Sequence, residues 1–105
     1  MLSWQVEVPT GPGIYSNRFS LQSECSEYRL VMRNGRGEEL FREESIRGGS
    51  YNFAVFGVTD PDLVAEINNN DYILVEKGDL ITYELENKTG CPNIHTLEAG
   101  RFNPE

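Results

Sequence analysis

The single histidine of the chain, His95, lies four residues after Cys91. A thiol beside an imidazole is the minimum arrangement for nucleophilic catalysis, because the imidazole can accept the thiol proton. On a β-strand, however, positions four apart are separated by about 13 Å, which is too far for direct proton transfer. Pro92 could bend the chain there, but nothing in the sequence fixes a third residue to orient the imidazole. We therefore expect a packed cysteine and a surface histidine, with a small cysteine–histidine enzyme as an alternative.

Three pairs of neighbouring carboxylates could supply the acid and the base that glycoside hydrolysis requires. The pairs are Glu38 with Glu39, Glu43 with Glu44, and Asp60 with Asp62. All lie in charged segments, where solvated carboxylates keep ordinary pKa values, whereas a general acid needs burial or a rigid neighbour of like charge. We therefore assign no catalytic residue and expect a protein that is not an enzyme.

Oxygen-bearing side chains of the kind that calcium prefers cluster after residue 59. The calcium candidates are Asp60, Asp62, Asn70 and Asp71. Their spacing does not match the EF-hand pattern. The two aspartates suit the N-terminus of a helix, and asparagines suit a turn. The sequence thus predicts no cofactor and no metal, with a carbohydrate- or calcium-assisted ligand-binding domain as an alternative.

Charge is distributed unevenly along the chain. The formal net charge of −8 opposes direct binding to nucleic acid, because such binding replaces counterions with lysine and arginine. The segment from Asp60 to Glu86 carries many acids and one base, Lys77. One stretch is rich in arginine and supplies the candidate binding residues Arg29, Arg33, Arg36, Arg42 and Arg47. A domain polarised in this way can recognise a charged partner, and an acidic mimic of nucleic acid is a further alternative.

Aromatic residues are numerous for a chain of this length, at 10%. We expect Phe56 and Tyr83 to line an exposed face, since each is interpreted as opposite in phase to neighbouring apolar residues. Aromatic side chains near arginines are typical of binding hot spots, for proteins or for sugars. The equally weighted alternative is a two-sided core that buries them.

The elements that must position these residues are mainly strands, because apolar residues alternate with a period of two between glycine-bearing turns. Strands are predicted at 3–8, 19–21, 28–33, 38–46, 51–58, 71–76, 80–85 and 93–97. Asn34-Gly35 predicts a hairpin turn, and Lys77-Gly78-Asp79 a second one. The strand at 38–46 carries many charges, which predicts a face or an edge in water. The tail from Phe102 is predicted to fray.

One short helix is predicted around residues 60–67. Asp60 can cap it, Pro61 suits its first turn, and Leu63, Val64 and Ile67 form an apolar stripe. Because so short a helix does not hold alone, we expect it to pack across a sheet or to close one end of the fold.

These observations predict one domain over residues 1–105, an antiparallel β-sandwich or small barrel of about seven strands with one short helix. No stretch is long and apolar enough to suggest a membrane segment, and no export signal is evident, so we expect a cytoplasmic protein. Cys25 and Cys91 are then expected to be free thiols, with one disulfide as the alternative. The expected function is non-enzymatic protein–protein binding of an inhibitor, immunity or virion-accessory type, with a homo-oligomer possible.

Overall fold

The computed structural model describes residues 2–11, 13–22, 28–62, 72–87 and 97–105. This part of the chain is mainly β, as the alternating sequence pattern predicts. It contains no helix long and apolar enough to span a membrane. Its eight strands are β1 (Leu2–Glu7), β2 (Gly13–Leu21), β3 (Tyr28–Arg33), β4 (Glu39–Ile46), β5 (Gly49–Val58), β6 (Ile73–Glu76), β7 (Leu80–Asn87) and β8 (Leu97–Pro104).

The strands form two four-stranded sheets. The first sheet has the order β1-β7-β3-β4, and the second has the order β6-β5-β2-β8. The sheets are joined by contacts between β1 and β8 at one side and between β4 and β6 at the other, which gives a sandwich-like arrangement. Pairing is antiparallel everywhere except between β5 and β6, which are parallel. The predicted antiparallel sandwich is therefore confirmed, with one parallel pair added.

The core lies between the sheets and is built by the period-two alternation. In β7, Ile81, Tyr83 and Leu85 point inward and are at most 2% exposed. Tyr15 and Phe19 also point inward, from β2 in the opposite sheet, and are 6% and 1% exposed. Buried residues from both sheets belong to one hydrophobic cluster. The described strands thus share a single core.

The first predicted hairpin is confirmed. β3 and β4 pair antiparallel, and the turn between them closes when the amide of Asn34 donates to the carbonyl of Glu38 at 3.0 Å. The side-chain Oδ1 of Asn34 accepts the amides of Arg36 and Glu38 at 2.9 and 3.0 Å. Gly37 has a φ of 83°, which glycine adopts without steric cost. β4 lies at the edge of its sheet, as its charges predict.

The second predicted hairpin is wrong. β6 pairs with β5 in one sheet, whereas β7 pairs with β1 and β3 in the other. The Lys77-Gly78-Asp79 turn therefore carries the chain between sheets. The turn is hydrogen-bonded to Val8, which follows β1. The amide of Val8 donates to the carbonyl of Asp79 at 2.8 Å, and the amide of Gly78 donates to the carbonyl of Val8 at 3.1 Å. Turn residues indicate a reversal of direction but do not say which strands pair.

The predicted fraying of the tail is also wrong. β8 pairs antiparallel with β2, and Phe102 is only 4% exposed. A bulge interrupts this pairing between Asn17 and Phe19, where two residues of β8 lie opposite one residue of β2. The tail is ordered because a buried aromatic side chain anchors it to the core.

Several predicted features lie outside the described residues. Only residues 60–62 of the predicted helix are described, and there Oδ1 of Asp60 accepts the amide of Asp62 at 3.1 Å. The rest of the predicted helix falls among the residues that are not described. So do Cys25, Cys91, His95, Asn70 and Asp71.

Candidate functional site

A groove of about 280 Å³ opens along one side of the sandwich, between β4 and the first half of β5. This β4–β5 groove is lined by Phe41, Glu43, Ser45, Ile46, Arg47, Tyr51, Asn52 and Phe53. Its position follows from the short length of β6, which pairs only with Val55–Val58 of β5. Beyond that point no described strand covers the side of β5 that faces away from β2.

Aromatic rings line this groove and continue into the core. Phe41 and Phe53 meet edge to face with ring centroids 5.3 Å apart. Phe19, which is fully buried, lies 5.7 Å from the ring of Phe53 and 5.6 Å from that of Tyr51. The three groove aromatics are half-buried, so each keeps apolar surface that another molecule can cover. The core holds their rings in place, which lowers the entropic cost of binding.

The connection between β4 and β5 is tied to the groove by Tyr51. Its hydroxyl donates to the carbonyl of Arg47 and accepts the amide of Arg47, the latter at 3.1 Å. Both main-chain polar groups of Arg47 are thereby satisfied. The position of the residue 47 backbone is fixed relative to the aromatic ring.

Two charged side chains, Glu43 and Arg47, line the groove. Glu43 lies opposite Leu30 of β3 and so belongs to the inward-facing set of β4, yet it is exposed because β4 is an edge strand. Neither Glu43 nor Arg47 forms an ion pair with another described residue. Among the described residues, the groove therefore offers one charge of each sign without an ion-pair partner, beside an aromatic surface.

The other arginines of the predicted stretch do not form a free cationic patch. Arg29 pairs with Glu44 at 2.9 Å and with Glu86 at 3.4 Å. Arg33 pairs with Glu84 at 2.6 Å. These residues come from β3, β4 and β7, which are neighbours in the first sheet, so their charges alternate across its outer face.

The same alternation extends to the edge of that sheet. Arg42 pairs with Glu39 at 2.7 Å and with Glu44 at 3.2 Å, and Arg36 pairs with Glu38 at 2.8 Å. A hydrogen bond from Arg42 lowers the pKa of Glu39, and hydrogen bonds from Arg42 and Arg29 lower the pKa of Glu44. Arg47 differs from these four arginines because no carboxylate in the described part of the chain pairs with it.

The two aromatics predicted to line an exposed face have different environments. Tyr83 is fully buried, and burial raises the pKa of its phenol well above the ordinary value, so its predicted exposure is wrong. The signal was present in the sequence, because Tyr83 shares the phase of Ile81 and Leu85. Phe56 is half-buried on the outer face of the second sheet, 6.3 Å from the ring of Tyr72. It lies on the face opposite to Phe53 and does not contribute to the groove.

A smaller cavity of about 130 Å³ lies at the other end of β4. Carboxylates dominate its lining, which includes Glu38, Glu39, Asp62, Glu76 and Asp79. Three of these already accept bonds, Glu38 and Glu39 from arginines and Asp79 from the amides of Gly35 and Leu80. Within the described ranges no group of three or more histidine, cysteine, aspartate or glutamate residues is arranged to hold a metal ion. The calcium candidates Asp60 and Asp62 are both exposed, and of the two only Asp62 lines this cavity.

Comparison with known proteins finds no match to a family model, to a curated protein or to a solved structure. The class that the structure defines is thus a mainly β, two-sheet sandwich with an aromatic groove beside an edge strand.

Proposed function

We propose that this protein is a non-enzymatic binding module that holds a segment of another protein in the β4–β5 groove. The observation that carries the proposal is the set of three half-buried aromatic rings beside Arg47, which forms no ion pair with a described residue. Aromatic and arginine side chains held in a pocket are the residues that dominate protein–protein binding energy.

The size of the groove limits what it supplies. Covering the apolar surface that the groove exposes would contribute only about 1 kcal/mol at roughly 25 cal/mol per Å². A stable complex usually buries about 800 Å² on each partner. The groove therefore serves as an anchor point, and the partner must also contact neighbouring strands.

The composition of the site supports binding over catalysis. The groove lining holds one carboxylate, Glu43, and neither a histidine nor a cysteine. A general acid or base works best when burial tunes it to the operating pH. Glu43 is exposed, so the groove does not provide that environment.

The arrangement of charge also weighs against an acidic mimic of nucleic acid on the first sheet. Such a mimic needs an uninterrupted negative surface to occupy a basic cleft. On this sheet the carboxylates of Glu39, Glu44, Glu84 and Glu86 are each paired with an arginine. Protein binding through the groove agrees better with this alternation of sign.

The test is a selection of linear dodecapeptides from a displayed random library against the intact protein. Two variants form a matched pair, since Phe41→Ser removes a half-buried groove aromatic and Phe56→Ser removes a half-buried aromatic from the opposite face. Selected peptides should bind wild type and Phe56→Ser alike and should bind Phe41→Ser at least tenfold more weakly. Circular dichroism would confirm that both variants are folded. Equal binding to Phe41→Ser, or no enriched peptide, would contradict the proposal.

A further inference from the structure

The first half of β5 has an edge with no described strand along it. β2 pairs with residues Gly49 to Gly57 of β5, but β6 pairs only with Val55–Val58. The stretch Gly49–Ala54 is therefore hydrogen-bonded on one side alone within the described part of the chain. Its free side faces the β4–β5 groove, which Tyr51, Asn52 and Phe53 help to line.

This edge differs from the other edges in carrying no charge. Proteins commonly protect edge strands with charged residues or proline, since an unprotected edge invites another strand. β4 is protected by four charged residues, Glu39, Arg42, Glu43 and Glu44, and β8 by Glu98, Arg101 and Pro104. The sequence of residues 49–54, Gly-Ser-Tyr-Asn-Phe-Ala, contains neither a charge nor a proline.

We propose that the partner segment binds in extended conformation and adds to the second sheet as a strand alongside Gly49–Ala54, in line with β6. This inference rests on the proposed function and specifies how the groove is used. Strand addition obtains affinity from main-chain hydrogen bonds and specificity from alternate side chains that enter pockets. Here one apolar side chain of the partner would cover Phe41 and Phe53.

Charge complementarity defines a second feature of the partner. Arg47 comes two residues before Gly49 and is the member of the arginine stretch that lacks an ion pair with a described residue. A carboxylate on the partner would supply that pair. Glu43 lines the same groove and repels a carboxylate placed near it, so the acid belongs at the Arg47 end of the strand. The partner is thus an extended segment with an apolar anchor and an acidic residue within about four positions of it, given the two-residue repeat of a strand.

The first experiment uses the peptides selected in the test above and replaces each of their backbone amides in turn by an N-methyl amide. N-methylation removes a donor without changing the side chain. If the peptide adds as a strand, methylation at alternate positions should weaken binding at least tenfold, and methylation between them should change it less than threefold. Amide hydrogen exchange should slow at residues within 49–54 on binding. Uniform tolerance of N-methylation would overturn strand addition.

The second experiment tests the acid with Arg47→Glu, and Arg101→Glu serves as a control of equal charge change at an exposed position on β8. Peptides that carry the acid should lose at least tenfold in affinity for Arg47→Glu and keep their affinity for Arg101→Glu. Replacing the peptide acid with lysine should restore binding to Arg47→Glu. Equal losses in the two variants would overturn the role of Arg47.

Different results would refute the binding groove and the strand addition. Peptides that depend on Phe41 but tolerate every N-methyl group would leave the binding groove in place and refute strand addition. Peptides that are insensitive to Phe41→Ser would refute the groove itself, and the strand proposal with it.

Discussion

The side-chain amide of Asn17 donates a 3.0 Å hydrogen bond to the carbonyl of Gly100, across the pair of strands β2 and β8. Asn17 is fully buried and points inward between Tyr15 and Phe19, so a polar side chain occupies a core position. The bond lies at the β8 bulge, where Gly100 and Arg101 lie opposite the single residue Arg18 of β2. Asn17 thereby holds the last strand in its shifted register.

Replacing Asn17 by alanine should lower the free energy of unfolding by about 1–3 kcal/mol, because it leaves a cavity and an unpaired carbonyl. Urea denaturation followed by tryptophan fluorescence measures this. Asn103→Ala is the control, since that exposed amide donates a 3.3 Å bond to the carbonyl of Arg101, and its loss should change stability by less than about 0.5 kcal/mol. Equal effects of the two substitutions would show that Asn17 does not hold the bulge.

Asp79 connects the two turns at one end of the sandwich. Its carboxylate accepts the amide of Gly35 at 3.0 Å and the amide of Leu80 at 2.9 Å. Asp79→Ala should lower the melting temperature by several degrees, because two charge-assisted bonds disappear at about 1–3 kcal/mol in total. Glu76→Ala, which removes a nearby exposed carboxylate, should leave the melting temperature nearly unchanged. A larger drop for Glu76→Ala would contradict the role given to Asp79.

The buried hydroxyl of Tyr83 has no hydrogen-bond partner among the described residues, and its ring stacks on that of Trp4 with centroids 5.1 Å apart. Tyr83→Phe should therefore be neutral or stabilising by up to about 1 kcal/mol, since it removes an unsatisfied polar group and keeps the ring. Tyr51→Phe is the comparison, and it should be destabilising because the Tyr51 hydroxyl bonds to both main-chain groups of Arg47. Thermal unfolding of both variants distinguishes the two cases. A clear loss of stability in Tyr83→Phe would contradict the conclusion that the Tyr83 hydroxyl is an unsatisfied polar group.

Alkaline pH should destabilise the fold through the same phenol. Burial raises the folded-state pKa of Tyr83, so the unfolded state releases this proton first, at its ordinary pKa near 10. The contribution of the protonated Tyr83 phenol to stability is fully present below that pH and declines as pH rises above it. Urea midpoints measured between pH 9 and pH 11 should fall less steeply in Tyr83→Phe than in wild type. Parallel curves would show that Tyr83 does not contribute to this decline.

Two glutamates on the edge strand, Glu39 and Glu44, should titrate at lower pH than ordinary glutamates. Hydrogen bonds from Arg42 lower the pKa of Glu39 and of Glu44 below their ordinary value of 4.5. Folded-state pKa values that are lowered stabilise the protein above the ordinary pKa, and this contribution is lost as pH falls below it. Carbon-13 NMR of the carboxyl groups should show both residues titrating lower in wild type than in Arg42→Gln. Unchanged titration in the variant would exclude Arg42 as the cause.

Much of the local structure was predictable because strand periodicity is a local property. Tyr28, Leu30 and Met32 alternate along the predicted strand at 28–33, and all three are buried, as a period of two requires. The Asn34-Gly35 hairpin was also expected, since its turn residues and its two strands are adjacent in sequence. The positions of Arg29 and Arg33 on the outer face follow from the same alternation.

The candidate site was only partly predictable. The arginine stretch included Arg47, but the aromatics singled out from the sequence, Phe56 and Tyr83, are not those that line the groove. The assembly of the lining residues into one groove depends on how the two sheets are placed relative to each other. Alternation within a strand carries no information about that placement. The pairing of Arg33 with Glu84 likewise depends on β7 lying beside β3, although 51 residues separate them in sequence.

The sequence by itself determined the strand-rich class, the inward and outward sets of side chains on most strands, and the β3–β4 turn, because each depends on neighbouring residues. The tertiary structure decided that β6 and β7 belong to different sheets and that Phe102 anchors an ordered final strand. It also decided that four arginines of the stretch, but not Arg47, pair with acids of the described residues. The physical reason is that a strand's alternation states which face is apolar but not which strand it pairs with. That choice is made by packing between residues distant in sequence, where the apolar faces of both sheets are buried together.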